Sequence, residues 1–260
     1  LETYVLKAIH EAKLATSWIN PNTRYDAAMV DFARALLDPD RSRDFLADFA
    51  PFQARVAHFG AFNALAQLVI KVAAPGVPDF YQGTEVWDGS LVDPDNRRPV
   101  DFEARREMLE ELLRRIESGD QVGALAADLL KDKEDGRVKM YVTHQALALR
   151  RQYAALFAEG DYQPLAAEGV LADHVCAFAR AGSEGAVVAV VPRLVARRGG
   201  TRAPVGPEYW LDSRLPLPAA LGPRFRNVFT GDEVARAAEG SVAVADVLAT
   251  FPVALLERRG

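Results

Sequence analysis

Residues 75–102 read PGVPDFYQGTEVWDGSLVDPDNRRPVDF, and the parsing of the chain turns on this stretch. VPDFYQ is short, aromatic and β-branched and is bounded by Gly76 and Gly83, the pattern of a buried strand. It follows Phe52 to Ala74, an apolar segment that reads as one or two buried helices and ends at Pro75-Gly76. A strand after a buried helix points to an α/β layer. From Gly83 to Pro99 the sequence is rich in Gly, Asp, Asn and Pro and has no period, so it is expected to be a long loop. Ordered loops of that length are uncommon unless they carry function. Asp101 then suits the N-cap of a helix FEARREMLEELLRRIES, with Glu103 in its first turn and Arg114-Arg115 in its last, matching the helix dipole.

Working outward, LETYVLKAIHEAKLAT places Tyr4, Val5, Ala8, Ile9, Ala12 and Ala15 on one stripe at helical spacing. That periodicity starts at the first residue, with no initiating Met, no leader and no N-cap before it, which reads as a chain that begins within a longer structure. Asn20-Pro21-Asn22 is a turn, and a second helix carries Ala27, Val30, Phe32 and Leu36-Leu37. A third helix is expected over Arg41 to Phe49, with Pro51 opening a new one. Lys131 to Gly136 is a charged linker, and VKMYVTHQALALRRQYAALF is helical again.

After Gly160 the texture changes. YQPLAA, VCAFARA, GAVVAVVPRLV, WLDSRLPLP, RNVFTG and FPVALLE are short apolar runs at turn-sized spacing, the signature of an antiparallel sheet or sandwich. The expected fold class is therefore α+β: residues 1–158 helical with one strand, then an antiparallel β-sandwich over 159–260. Trp210 lies in one of the β runs, where an aromatic is more often core than a sugar platform.

A chain of 260 residues, 50% apolar and 26% charged, is long enough for a real core. Its net charge of -5 argues against a phosphate-tracking surface, so nucleic acid is not an expected partner. The one cysteine, Cys176, excludes an intrachain disulfide and fits a reducing, cytoplasmic compartment. The apolar segment Ala61 to Val77 is broken by Asn63, Gln67, Lys71 and Pro75, and no membrane association is expected. His10, His58, His144 and His174 are scattered and lack metal-ligand spacing. Asp88, Asp93 and Asp95 lack the alternate-position ligands and closing Glu of a calcium loop. Neither a metal nor another cofactor is expected.

The chemistry concentrates in the loop. Asp93, Asn96, Arg97 and Arg98 lie within six residues, with Gln82, Glu85 and Trp87 just upstream. Sugar hydroxyls are recognised by donors and acceptors held in fixed geometry, and an Asp with an Arg four residues later can grip adjacent hydroxyls while each charge holds the other in place. An aromatic such as Trp87 can stack on a pyranose face. The same residues also fit a plainer description: Asp-Pro-Asp-Asn is a common turn, and loop charges are usually solvated. Nothing in the loop marks a nucleophile or a raised-pKa acid, so it is read as binding rather than catalytic.

VPDFYQGTE resembles the final barrel strand of the α-amylase superfamily, glycoside hydrolase family 13, and DPDNRRPVDF resembles that superfamily's Asp-Pro-Asp-x-Arg-x-Pro loop. Taken with SWINPN, GRVKMYVTHQALALRR, GDYQPL, VVPRL and FPVALL, nearly the whole chain resembles the maltooligosyltrehalose synthase family. The resemblance implies the C-terminal part of an enzyme that converts the reducing-end α-1,4 bond of a maltooligosaccharide to an α,α-1,1 bond by intramolecular transglucosylation. It implies the last strand and helix of a (β/α)8 barrel with inserted helices. It also implies Asp93 and Arg97 as ligands of glucose hydroxyls on the glycone side, with Asn96, Arg98, Gln82, Glu85 and Trp87 beside them. The three catalytic acids of the family have no recognisable counterpart here and would belong to a preceding N-terminal part of the enzyme, its expected partner besides the saccharide. A noncatalytic carbohydrate-binding or interaction module, and a simple hydrolase, are the alternatives. A lone barrel strand would lack ladder partners, so a rearranged N-terminal region or further polypeptide is expected.

Overall fold

A computed structural model of the chain describes residues 1–93, 95–117 and 122–259. Pro94 of the DPDNRRP motif and Ser118 of the expected helix lie outside the described residues. The chain divides into two compact units, Leu1–Ala57 with Asp88–Val100, and His58–Trp87 with Asp101–Gly260.

The first unit is helical. α1 (Glu2–Ala12) and α2 (Thr23–Leu37) are joined across the Asn20-Pro21-Asn22 turn, and Asn22 caps α2 by accepting the Tyr25 N–H at 3.2 Å. The two helices run antiparallel, because Glu2 pairs with Arg34 at 2.7 Å while His10 pairs with Asp26 at 2.8 Å. α3 (Arg43–Ala73) starts in this unit. Two helices were expected here, one on each side of Pro51, yet α3 is continuous. The residues around Pro51 are exposed, so water can satisfy the carbonyl that proline leaves without a donor. Among the described residues of this unit only His10, Thr16 and Ala33 are fully buried, while Leu14, Ile19 and Phe52 stand 92%, 96% and 63% exposed. Its apolar stripes are formed but largely uncovered.

The second unit is layered. α4 (Phe102–Glu117), α5 (Val122–Lys131), α6 (Arg137–Gln152) and α7 (Ala154–Glu159) join the later half of α3 on one face of a six-stranded antiparallel sheet ordered β1-β2-β3-β8-β5-β6. Its strands are β1 (Asp161–Leu165), β2 (Val175–Gly182), β3 (Gly185–Pro192), β5 (Arg224–Asn227), β6 (Glu233–Ala235) and β8 (Ala254–Arg259). Strand periodicity sorts the two cores: Val187, Ala189, Val191 and Leu255 face the helices, whereas Ala186, Val188, Val190, Ala254 and Leu256 face the other side. That other side is covered by the two-stranded sheet of β4 (Arg214–Pro216) and β7 (Ser241–Ala243) and by the short helices α8 (Pro207–Trp210) and α9 (Val244–Val247). The antiparallel pairing expected after residue 160 is therefore present, but its main sheet shares a core with the preceding helices instead of closing a sandwich by itself. Trp210 is fully buried and its indole donates to the Pro204 carbonyl at 2.9 Å, as a core residue. α3 is long and apolar enough to cross a membrane by length and composition; its residues Leu65 to Ala73 pack in the helix-side core.

The expected barrel strand is the main correction. VPDFYQ forms no strand, and all the sheets among the described residues lie after residue 160. Val77 and Tyr81 stand 93% and 49% exposed. A barrel strand owes its form to neighbours that take up its N–H and C=O groups on both edges, and no described segment does so here. The segment is held from its ends instead. Arg150 caps the end of α3 by donating to the Val72 and Gly76 carbonyls, and Lys71 donates to the Asp79 carbonyl at 3.0 Å while lying over the Phe80 ring.

Candidate functional site

The loop residues singled out in the sequence fall on both units, and each half has its own scaffold. In the second unit, Glu85 is paired with Arg105 at 3.1 Å. The same guanidinium donates to the Gly83 carbonyl at 2.9 Å and the Asp101 carbonyl at 3.0 Å, so α4 anchors the start of the loop. Asp101 caps α4 as expected, accepting the Ala104 N–H at 2.9 Å. Trp87 is half-buried against the helix-side core; its indole donates to the Lys133 carbonyl and Lys139 sits 5.7 Å from its ring. Lys139 also donates to the Val86 carbonyl at 3.0 Å. Gly136, at φ +83, lies against this turn, where a Cβ would stand 2.8 Å from the Val86 Cβ. Gln82 is exposed.

In the first unit the motif folds as a tight turn. Asp95 accepts the Leu91 N–H at 2.8 Å and pairs with Arg98 at 2.7 Å, which closes a 3-10 turn over Asp95–Arg97. Asp93 forms an ion pair with Arg97, their side chains 41% and 69% exposed. Charges this open contribute little to stability. The Arg97 hydrogen bond holds the Asp93 carboxyl below its ordinary range against the opposing effect of burial, helped by the charges of Arg97 and of Lys7 on α1 and by the Asn96 amide. Asp93 is therefore an ionised acceptor at neutral pH and not a proton donor. Asn96 Oδ1 is buried without a partner.

The structure thus brings Asp93, Asn96, Arg97 and Arg98 together on one turn and Glu85 and Trp87 on another. Trp87 presents less ring than a free stacking platform would. Arg105, Lys139 and Gly136, which hold the Glu85–Trp87 turn, carried no signal in the sequence, because their partners lie 20 or more residues away. Lys7 was equally silent. Among the described residues no group of three or more His, Cys, Asp and Glu is placed to hold a metal ion. His58 sits edge-on to Phe59 and Phe62 and its pKa is lowered, chiefly by burial. Cys176 is half-buried and unpaired.

These two turns offer donors and acceptors held in place by hydrogen bonds and ion pairs within each unit. No protein-family model matches the chain. It is 34% identical over 99% of its length to a Mycobacterium tuberculosis protein assigned as a maltooligosyl trehalose synthase, and it spans 28% of that relative. Among solved structures, that of maltooligosyltrehalose synthase from Arthrobacter ramosus matches at 34% identity and a TM-score of 0.75 over 99% of this chain and 30% of the other. A crystal structure of maltooligosyl trehalose synthase matches at 27% identity and a TM-score of 0.69, again over 99% of this chain and 30% of the other. The match to these enzymes therefore takes in both turns.

Proposed function

We propose that this chain is the C-terminal portion of a maltooligosyltrehalose synthase, the family that it matches over 99% of its own length and about 30% of theirs. On this reading the complete enzyme rearranges the reducing-end α-1,4 bond of a maltooligosaccharide into an α,α-1,1 bond by intramolecular transglucosylation. The single observation that carries it is that a likeness in both sequence and fold extends over 99% of the chain.

In this scheme residues 1–158 belong to the catalytic part of the complete enzyme, and residues 159–260 form its C-terminal β part. The retaining chemistry needs one carboxylate as nucleophile and one carboxylic acid as acid then base. Those groups belong to polypeptide that the relatives carry beyond the stretch matched here. The cleaved glucose has to remain in place, turn and attack through its anomeric hydroxyl, so a wall that grips hydroxyls and excludes water is part of the reaction. Asp93 and Arg97 supply that grip, with Asn96 and Arg98 shaping their turn. Glu85, Trp87 and Gln82, on the turn of the second unit, are secondary candidates for saccharide contacts. Trp210, buried in the core, is not a surface on which the β part would bind sugar alone.

The exposed Leu14 and Phe52 of the first unit fit this scheme, since relatives more than three times as long carry polypeptide that can cover them. The test is the product. The complete enzyme incubated with maltopentaose should convert it to a non-reducing saccharide of unchanged length. Release of glucose and maltotetraose as the main products would instead make it a hydrolase.

A further inference from the structure

We propose that the cleft between α1 and α2 is a second saccharide-binding site, with Trp18 as its platform. The cleft encloses about 540 Å³ and lies wholly within the first unit, inside the range of about 300–1,000 Å³ usual for small-ligand sites. Its floor is apolar, from Leu6, Ala27 and Val30, and polar groups stand at its margin. That mixture suits a pyranose, which shows C–H faces to apolar walls and hydroxyls to the rim.

Trp18 is 61% exposed, an unusual state for so large a ring. It is nevertheless fixed. Its ring meets His10 edge-on with centroids 4.5 Å apart, and His10 is held by Asp26 through Nε2 at 2.8 Å. The loop beneath it is stiffened where Asn22 N–H donates to Thr16 at 2.9 Å and Asn20 N–H to Ser17 at 3.0 Å. A stacking surface that is open yet immobilised loses little freedom when a ligand arrives.

Two further observations point to hydroxyls. His10, 8% exposed, leaves Nδ1 without a partner, and Asp26 leaves Oδ1 without one. Buried polar atoms in that state are rare and costly, and a hydroxyl entering beneath the edge of Trp18 would satisfy them. On α2, Asp31 is 70% exposed and stands 3.6 Å from Arg34, whose guanidinium is held by Glu2, so Asp31 is an exposed acceptor at the mouth.

The choice of an α-1,4-glucan as the sugar rests on the functional reading above; a sugar site at Trp18 does not. The test uses the 260-residue chain carrying Asp93→Ala, so that the loop turn does not contribute, titrated with maltotriose while the three indole N–H signals are followed by NMR. A saturable shift is expected at Trp18, and Trp18→Ala should weaken maltotriose binding by about tenfold or more. Because Trp18 is exposed, that variant should melt with its parent. Asp26→Asn, which loosens His10, should weaken binding while the Trp18 signal still reports it. No saturable shift at Trp18, or equal affinity in Trp18→Ala, overturns the proposal. Either result is independent of whether Asp93 matters in the complete enzyme, so the two readings can fail separately.

Discussion

Gly136→Ala tests how the loop is held. Gly136 sits at φ +83, a region that costs an L-residue about 1–2 kcal/mol. The new Cβ would lie 2.8 Å from the Val86 Cβ and 3.0 Å from the Trp87 nitrogen, and overpacking of that kind costs about 1–3 kcal/mol. Stiffening the unfolded chain returns about 0.4–1 kcal/mol. The net loss is then about 2–4 kcal/mol, which for a unit of this size lowers the melting temperature by roughly 5–15 °C. Thermal unfolding followed by circular dichroism measures it. The backbone cannot yield at Gly136 without moving Val86 and Trp87, because Lys139 and Lys133 tie those residues to the same region. Tryptophan emission should therefore shift as well. Gly136→Asn separates the two causes, since Asn tolerates the left-handed region but carries the same Cβ. It should recover part of the loss and leave the emission shift. A melting temperature for Gly136→Ala within about a degree of the parent would refute both the strain and the clash.

Three other outcomes follow from the second unit. Arg180, 2% exposed, donates to the carbonyls of Leu156, Phe157, Gly160 and Asp161 at the end of α7. Arg180→Met should cost about 3 kcal/mol or more in chemical denaturation, by stranding buried acceptors; a cost near zero would show that water replaces it. Trp210→Ala should destabilise by about 3–5 kcal/mol, because it empties a core site and strands the Pro204 carbonyl, and a folded variant of parental stability would contradict its assignment to the core. Burial pushes the Tyr141 hydroxyl up to about 12, outweighing Gln145 and Arg226, and also raises Tyr153 and Tyr209. A raised folded-state pKa gives stability that is fully present below the unfolded value of about 10 and lost above it, so denaturation between pH 10 and 12 should cost roughly 2–3 kcal/mol through Tyr141. In Tyr141→Phe that fraction of the decline should vanish, and an unchanged decline would contradict it.

Much of the second unit was legible because its signals are local. VCAFARAG and GAVVAVVP are separated by the two residues Ser183-Glu184, and they pair as a hairpin from Val175↔Pro192 to Gly182↔Gly185. Asn22 and Asp101 were readable as caps because a cap needs only the next turn. α5 escaped because its run VGALAADLLK is only 10 residues long and follows the turn-type residues Gly119 and Asp120. VPDFYQ misled for a different reason. Its composition is that of a strand, but a strand is made by its neighbours, and composition cannot show whether they are present.

The candidate site divides in the same way. The pairing of Asp93 with Arg97 is an i, i+4 relation and could be read from spacing. The anchoring of Glu85 by Arg105, the confinement of Trp87 by Lys133 and Lys139, and the approach of Lys7 to Asp93 are long-range contacts with no local pattern. Pro51 shows the converse: a strong local breaker was overridden where solvent could take its unpaired carbonyl.

The central claim is that the Asp93 turn grips the saccharide and leaves the chemistry to other groups. Saturation kinetics of the complete enzyme on maltopentaose, parent against Asp93→Ala, test it most directly. The account predicts a KM raised about tenfold or more, the equivalent of one lost charge-assisted hydrogen bond, with Asp93→Asn intermediate because it keeps an acceptor. Since Asp93 is held ionised well below neutrality, the KM ratio should also be flat from pH 5 to 8. A KM for Asp93→Ala equal to that of the parent would contradict the account.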